Sequence, residues 1–144
     1  MSPEPSPPAS SFPKLAFGGV AIYVDDVQRV LDFYRRAFGF ETRFFDPEYG
    51  YGELSAGGAH LGIASHKLGH VLMPGRYVRA TNHSDSFALE IGLITEDVAG
   101  AYARATSEGA ISVAEPKTMP WGGTVAYVRS IEGTLVVLCT PPAA

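Results

Sequence analysis

Apolar β-branched and aromatic residues run together from Val20 to Val24, and the spacing then changes: Val27, Val30, Leu31, Tyr34 and Phe38 recur at helical intervals. The pattern predicts a strand feeding an amphipathic helix, with Asp25 and Asp26 supplying a cap and first-turn negative charge and Gly39 ending the helix. Three extended runs follow, Glu41 to Phe45, Tyr51 to Ser55 and Ala59 to Ser65, with Gly57-Gly58 between the last two. About 70 residues further on the pattern returns. Ile91 to Thr95 is a strand, Glu96 and Asp97 take the acidic positions, and Val98, Ala101, Tyr102 and Ala105 fall at helical spacing before Gly109. Ile111 to Ala114, Thr124 to Arg129 and Thr134 to Thr140 then complete a second copy of strand, helix and three strands.

The expected fold is therefore α+β: two tandem βαβββ modules forming a curved mixed β-sheet with helices on its outer face. A chain of 144 residues has room for one such domain. The domain is placed at 15–142, with module one at 15–66, a connecting loop at 67–86 and module two at 87–142. The connecting stretch, beginning at His66 and ending at Ser86, mixes Gly, Pro, Asn and charges without a strand or helix period, and reads as a crossing loop. His66 and His70 stand four apart within it, but Gly69 between them argues for a loop rather than a helical metal pair. A shorter connection, Glu115 to Gly123, is rich in turn residues and holds Trp121, the single tryptophan.

Alternation along the strands separates two faces. Val20, Ile22, Val24, Leu61, Ile63, Ile91, Leu93, Val136 and Leu138 face the helices. The opposite faces carry small residues together with Tyr23, His60, Glu90 and Tyr127, a composition suited to a cavity wall rather than a solvent face. Phe44 and Tyr51 belong to an aromatic cluster around Asp46-Pro47-Glu48, and Arg129 shares a strand with Tyr127. These readings make Trp121, Glu90, His60, Tyr127, Phe44, Tyr51 and Arg129 the candidate ligand-binding residues. Trp121 is the leading one, as a large amphipathic ring on a loop beside an apolar groove. Cys139 lacks any neighbouring motif for an activated thiol.

Composition narrows the setting. Residues 1–14 form a Pro/Ser-rich tail, with five of the eleven prolines before Lys14, and are expected to be disordered. No secretory signal pattern or membrane-length apolar run occurs, the net charge is −4, and one cysteine cannot pair within the chain. A cytoplasmic protein with no nucleic-acid or membrane partner is expected.

The double module, opened by YVDDVQRVLDFYRRAFGF and closed by PWGGTVAYVRSIEGTLVVLCTP, resembles the vicinal oxygen chelate superfamily. That group comprises glyoxalases, bleomycin-resistance proteins and extradiol dioxygenases. The resemblance implies four cavity-facing ligand positions for a divalent metal, which fall here on Gly19, Gly62, Glu90 and Val137. Of these only Glu90 can ligate, so no metal or other cofactor is expected. The missing ligands favour a binding protein, a homodimer by resemblance, that sequesters a small hydrophobic or aromatic compound in a cavity or dimer groove. The alternative is a lyase, isomerase or dioxygenase holding one divalent metal on a non-standard set that includes Glu90 and His60. A third reading is a small-molecule-responsive or structural member without chemistry.

Overall fold

The computed structural model describes residues 3–5, 12–73 and 75–142; most of the 1–14 tail lies outside them. Strand β1 (Val20–Val24) leads into helix α1 (Val27–Phe38), followed by β2 (Glu41–Asp46), β3 (Tyr51–Ala56) and β4 (Ala59–Ser65). Helix α2 (His66–Leu72) opens the connection to β5 (Glu90–Ile94), α3 (Val98–Ser107), β6 (Ile111–Thr118), β7 (Thr124–Arg129) and β8 (Leu135–Cys139). The strands form two four-stranded mixed sheets with the orders β1-β4-β3-β2 and β5-β8-β7-β6. In each, the first strand runs parallel to the last and the other pairs are antiparallel. The two βαβββ modules are thus present, each carrying its own sheet.

The helix ends follow the expected chemistry. Asp26 caps α1 by accepting from the Arg29 amide, and Gly39 closes it at φ 75°, a left-handed conformation that glycine adopts without strain. Asp97 caps α3 by accepting from Gly100. The two helices pack together, Arg104 donating through Nε to the Arg36 carbonyl at 2.7 Å. Their buried faces and the helix-facing sides of both sheets share one core, including Leu31, Phe33, Tyr34, Leu54, Ile63, Val128, Val136 and Leu138. Tyr34 crosses between the modules, its hydroxyl lying 2.9 Å from Glu132 Oε2 and 3.2 Å from Ser130 Oγ. Because the helix-covered sides face inward, the free sheet faces look outward from the chain.

Two expectations change. The stretch after Ser65 is not wholly loop: α2 forms there, with the Ser65 hydroxyl accepting from the Leu68 amide. Seven residues are too few to display a period, and Gly69 serves packing rather than breaking the helix. A Cβ at Gly69 would lie 2.8 Å from the Tyr23 ring and 3.0 Å from the Tyr77 hydroxyl. Strand β6 also continues through Pro116 to Thr118, so the loop carrying Trp121 is shorter than expected. It is an edge strand whose register shifts between Ala114 and Lys117, a setting that tolerates proline. Among the described residues no helix is long and apolar enough to cross a membrane.

Candidate functional site

On the free face of the first sheet the register aligns Ala21, Gly62, Glu53 and Phe44 across four strands, with Tyr23, Ala64 and Tyr51 in the next row. Alternation alone would send Arg43 and Phe44 to opposite faces. A register shift between Thr42 and Phe44 breaks that alternation, and both side chains reach the free face. Phe44 packs against Tyr51 with ring centroids 5.7 Å apart, while Arg43 Nη1 donates to Glu53 Oε1 and lies 3.3 Å from His60 Nδ1. His60 Nδ1 is also 3.3 Å from Glu53 Oε1, and the Tyr51 hydroxyl donates to Glu53 Oε2 at 3.3 Å.

Glu53 is therefore the hub of a four-residue network. Its side chain is 15% exposed, whereas those of Arg43 and His60 are 42% and 48% exposed. Burial raises the Tyr51 pKa, and the Glu53 charge raises it further, so the phenol stays a protonated donor. A shallow cavity of about 270 Å³ lies beside the network, lined by Gly19, Ala21, Tyr51, Glu53, His60 and Gly62 among others. Sequence reasoning placed His60 on this face and named Tyr51 and Phe44 as binding candidates from their aromatic cluster, but missed Glu53 and Arg43. Glu53's parity with Tyr51 was an available signal for the first; the bulge that puts Arg43 and Phe44 on one face has none.

The other candidates stand apart from this network. Glu90 is exposed and has no hydrogen bond or ion pair among the described residues. Tyr127 is half-buried on the free face of the second sheet, in register with Val137. Trp121 sits on the turn between Met119 and Gly123 and is 75% exposed. Arg129 is committed to structure: Nε donates to the Gly133 carbonyl, Nη1 to Ser84 and Nη2 to Thr81, at 2.7 to 2.9 Å. It straps the connecting segment to the β7–β8 turn.

The connection is latched at its other end as well. Tyr77 stacks on Tyr23, His66 and His70 at centroid distances of 5.3, 5.6 and 5.0 Å. His66 and His70 do share a helix face, yet a tyrosine ring lies against both. His66 is buried, its Nδ1 2.7 Å from the Tyr77 hydroxyl and its Nε2 3.6 Å from Asp25. Burial holds its pKa below the usual value and the Arg79 charge adds to this, outweighing Asp25. A cavity of about 150 Å³ beneath this latch is lined by apolar residues of β1, β5 and the connection.

The order of strands in each module, the tandem repeat and the small-residue free faces together define a glyoxalase-type fold. The chain belongs to the Glyoxalase/Bleomycin resistance protein/Dioxygenase superfamily, whose family model matches residues 16–138. Among solved structures it is similar to a glyoxalase-related enzyme from Fulvimarina pelagi, at 20% identity and TM-score 0.72 over 89% of this chain and 90% of that one. It is also similar to TioX from Micromonospora sp. ML1, at 23% identity and TM-score 0.65 over 87% and 98%. A superfamily member from Sphaerobacter thermophilus DSM 20745 shares 27% identity at TM-score 0.62 over 88% and 98%. No curated protein matches the sequence.

The ligand positions implied by the resemblance can be tested on this geometry. A Cβ at Gly62 would lie 2.7 Å from the Tyr51 hydroxyl, and one at Gly19, where φ is 139°, would lie 2.7 Å from the His60 carbonyl oxygen. A side chain at Gly19 would run into backbone, and one at Gly62 would have to displace the Tyr51 hydroxyl. Val137 offers only carbon, and among the described residues no three His, Cys, Asp or Glu side chains converge on one point. The residues of this chain do not fit the family's metal.

Proposed function

We propose that the protein binds a small hydrophobic or aromatic compound without a metal ion, in a groove formed between a free sheet face and a second copy of the chain. The observation that carries this reading is the network on the first sheet: an ion pair with a histidine and a tyrosine stands beside two glycines that offer no side-chain ligand to a metal. The aromatic pair Phe44 and Tyr51 supplies a stacking wall beside it.

Dimerisation is supported by how the single chain is built. With the helix-covered faces turned inward, the free faces keep Phe44, Ile94 and Ile111 exposed at 46%, 62% and 43%. Apolar area of that kind is usually covered by a partner, most simply a symmetric one. Tyr127, Glu90 and Trp121 contribute, in this reading, from the second sheet of the other copy.

Three measurements test it. Elemental analysis of untagged protein should find no stoichiometric Zn, Mn, Fe or Ni; about one ion per chain that survives dialysis and is lost in Glu90→Ala refutes metal independence. Light scattering at micromolar concentration should give a dimer, and a concentration-independent monomer contradicts the groove. The neutral fluorophore N-phenyl-1-naphthylamine should bind saturably, weaken in Phe44→Ala and change the emission of Trp121. No saturable binding sinks the proposal.

A further inference from the structure

We infer that Arg43 anchors the ligand and that the ligand is an aromatic carboxylate, gripped by the guanidinium while its ring lies on Phe44 and Tyr51. The inference rests on the binding reading above and names its ligand class. The starting point is what each group of the network has left to offer. Glu53 Oε1 accepts from Arg43 and lies within reach of His60, and Oε2 accepts from the Tyr51 hydroxyl, so both oxygens are engaged and the side chain is 15% exposed. Arg43 is the opposite case. A guanidinium carries five N–H donors, and only Nη1 of Arg43 makes contacts among the described residues. The Nε–Nη2 edge keeps its donors, on a side chain 42% exposed.

The network therefore has surplus donors and few free acceptors. A binding partner must bring acceptors, and the planar, paired donors of the Nε–Nη2 edge match the two oxygens of a carboxylate. The backbone places a ring site next to that edge. Phe44 follows Arg43 directly, reaches the same face through the β2 bulge, and pairs with Tyr51. A cation of a different kind thus stands beside the family's metal positions: a fixed guanidinium, which needs no ligand at Gly19 or Gly62. Glu53 has a dual effect. It holds Arg43 in place, but its charge opposes a second carboxylate nearby.

This opposition gives the test its signature. The probe pair is 1-naphthoate and 1-naphthamide, equal in ring and shape but different in charge, measured by calorimetry and by competition with N-phenyl-1-naphthylamine. Wild-type protein should bind 1-naphthoate about tenfold more tightly than the amide. Arg43→Gln should abolish that preference, and Arg43→Lys should keep part of it, since the charge remains without the fork. Glu53→Gln should tighten 1-naphthoate binding about threefold or more by removing the opposing charge. A merely structural role for the pair predicts weaker binding in both the Arg43 and Glu53 variants. Equal affinity for the two probes, or a Glu53→Gln variant that weakens 1-naphthoate, overturns the anchor while leaving aromatic binding intact if the neutral fluorophore still binds. Absence of saturable heat with 1-naphthoate in wild-type protein overturns it as well.

Discussion

Tyr34→Phe should weaken the joint between the two modules. The ring is fully buried, and its hydroxyl spans from α1 to the turn between β7 and β8, 2.9 Å from Glu132 Oε2. Two other hydroxyls, Ser130 Oγ and Thr134 Oγ1, donate to the same oxygen at 2.6 Å each. Glu132 Oε1 is buried with no hydrogen-bond partner among the described residues, so the carboxylate depends on that one oxygen for its solvation within the protein. A hydrogen bond to a charged acceptor contributes about 1.5–3 kcal/mol, and the substitution removes one oxygen without opening a ring-sized cavity. Ser130 and Thr134 remain, so a loss of about 2 kcal/mol is expected. At about 2.1 cal/mol/K of unfolding entropy per residue, this lowers Tm by about 7 °C. The assay is urea denaturation of Tyr34→Phe, Glu132→Gln and the double variant. Their coupling energy should exceed about 0.5 kcal/mol, the limit expected of independent sites. Additive effects, or a single-variant loss below that value, refute the inter-module role. The pH dependence gives a second check. Burial holds the Tyr34 pKa well above its ordinary value, with the Glu132 charge raising it further. The unfolded chain therefore loses this proton first on alkalinisation. Its stabilisation is complete below about pH 10 and is lost progressively above it, a slope that should be shallower in Tyr34→Phe.

The acid side should depend on His66. Its lowered pKa means the unfolded chain binds a proton before the folded one, so stability is whole above about pH 6.5 and falls as pH drops from there through the lowered folded value; His66→Asn should flatten this fall in pH-dependent denaturation. Arg129→Ala removes donors to three carbonyls and should speed hydrogen exchange and proteolysis around residues 81–84, with β3 and β4 unchanged; uniform protection would refute the strap. Gly62→His forces the Tyr51 hydroxyl aside, at a cost of about 1–3 kcal/mol, and should not confer Zn-dependent thermal stabilisation. A Tm that rises with zinc in this variant would show that the space is available after all.

Much of the architecture was legible along the chain because it depends on local periods and caps. The Val27 to Phe38 stripe, the aspartate caps and Gly39 determine α1 through interactions within a few residues, and the same chemistry repeats in α3. Strand parity correctly separated the buried Leu61, Ile63, Val136 and Leu138 from the opposite faces, since alternation follows from the extended backbone itself. Helix α2 was not legible. It is too short for a period, and Gly69 reads as a breaker until the Tyr23 and Tyr77 rings that require it are in place. The candidate site divides in the same way. Alternation places His60 and Tyr51 on one face, but only the β2 bulge puts Arg43 and Phe44 on that face together, and a bulge depends on pairing with another strand. Likewise the sequence shows that Gly19 and Gly62 lack donor atoms, whereas what a replacement would meet, the His60 carbonyl at one and the Tyr51 hydroxyl at the other, is a property of the packed sheet. Period and chemical type are carried by neighbouring residues. Which side chains meet across strands, and what room is left between them, is decided by tertiary packing.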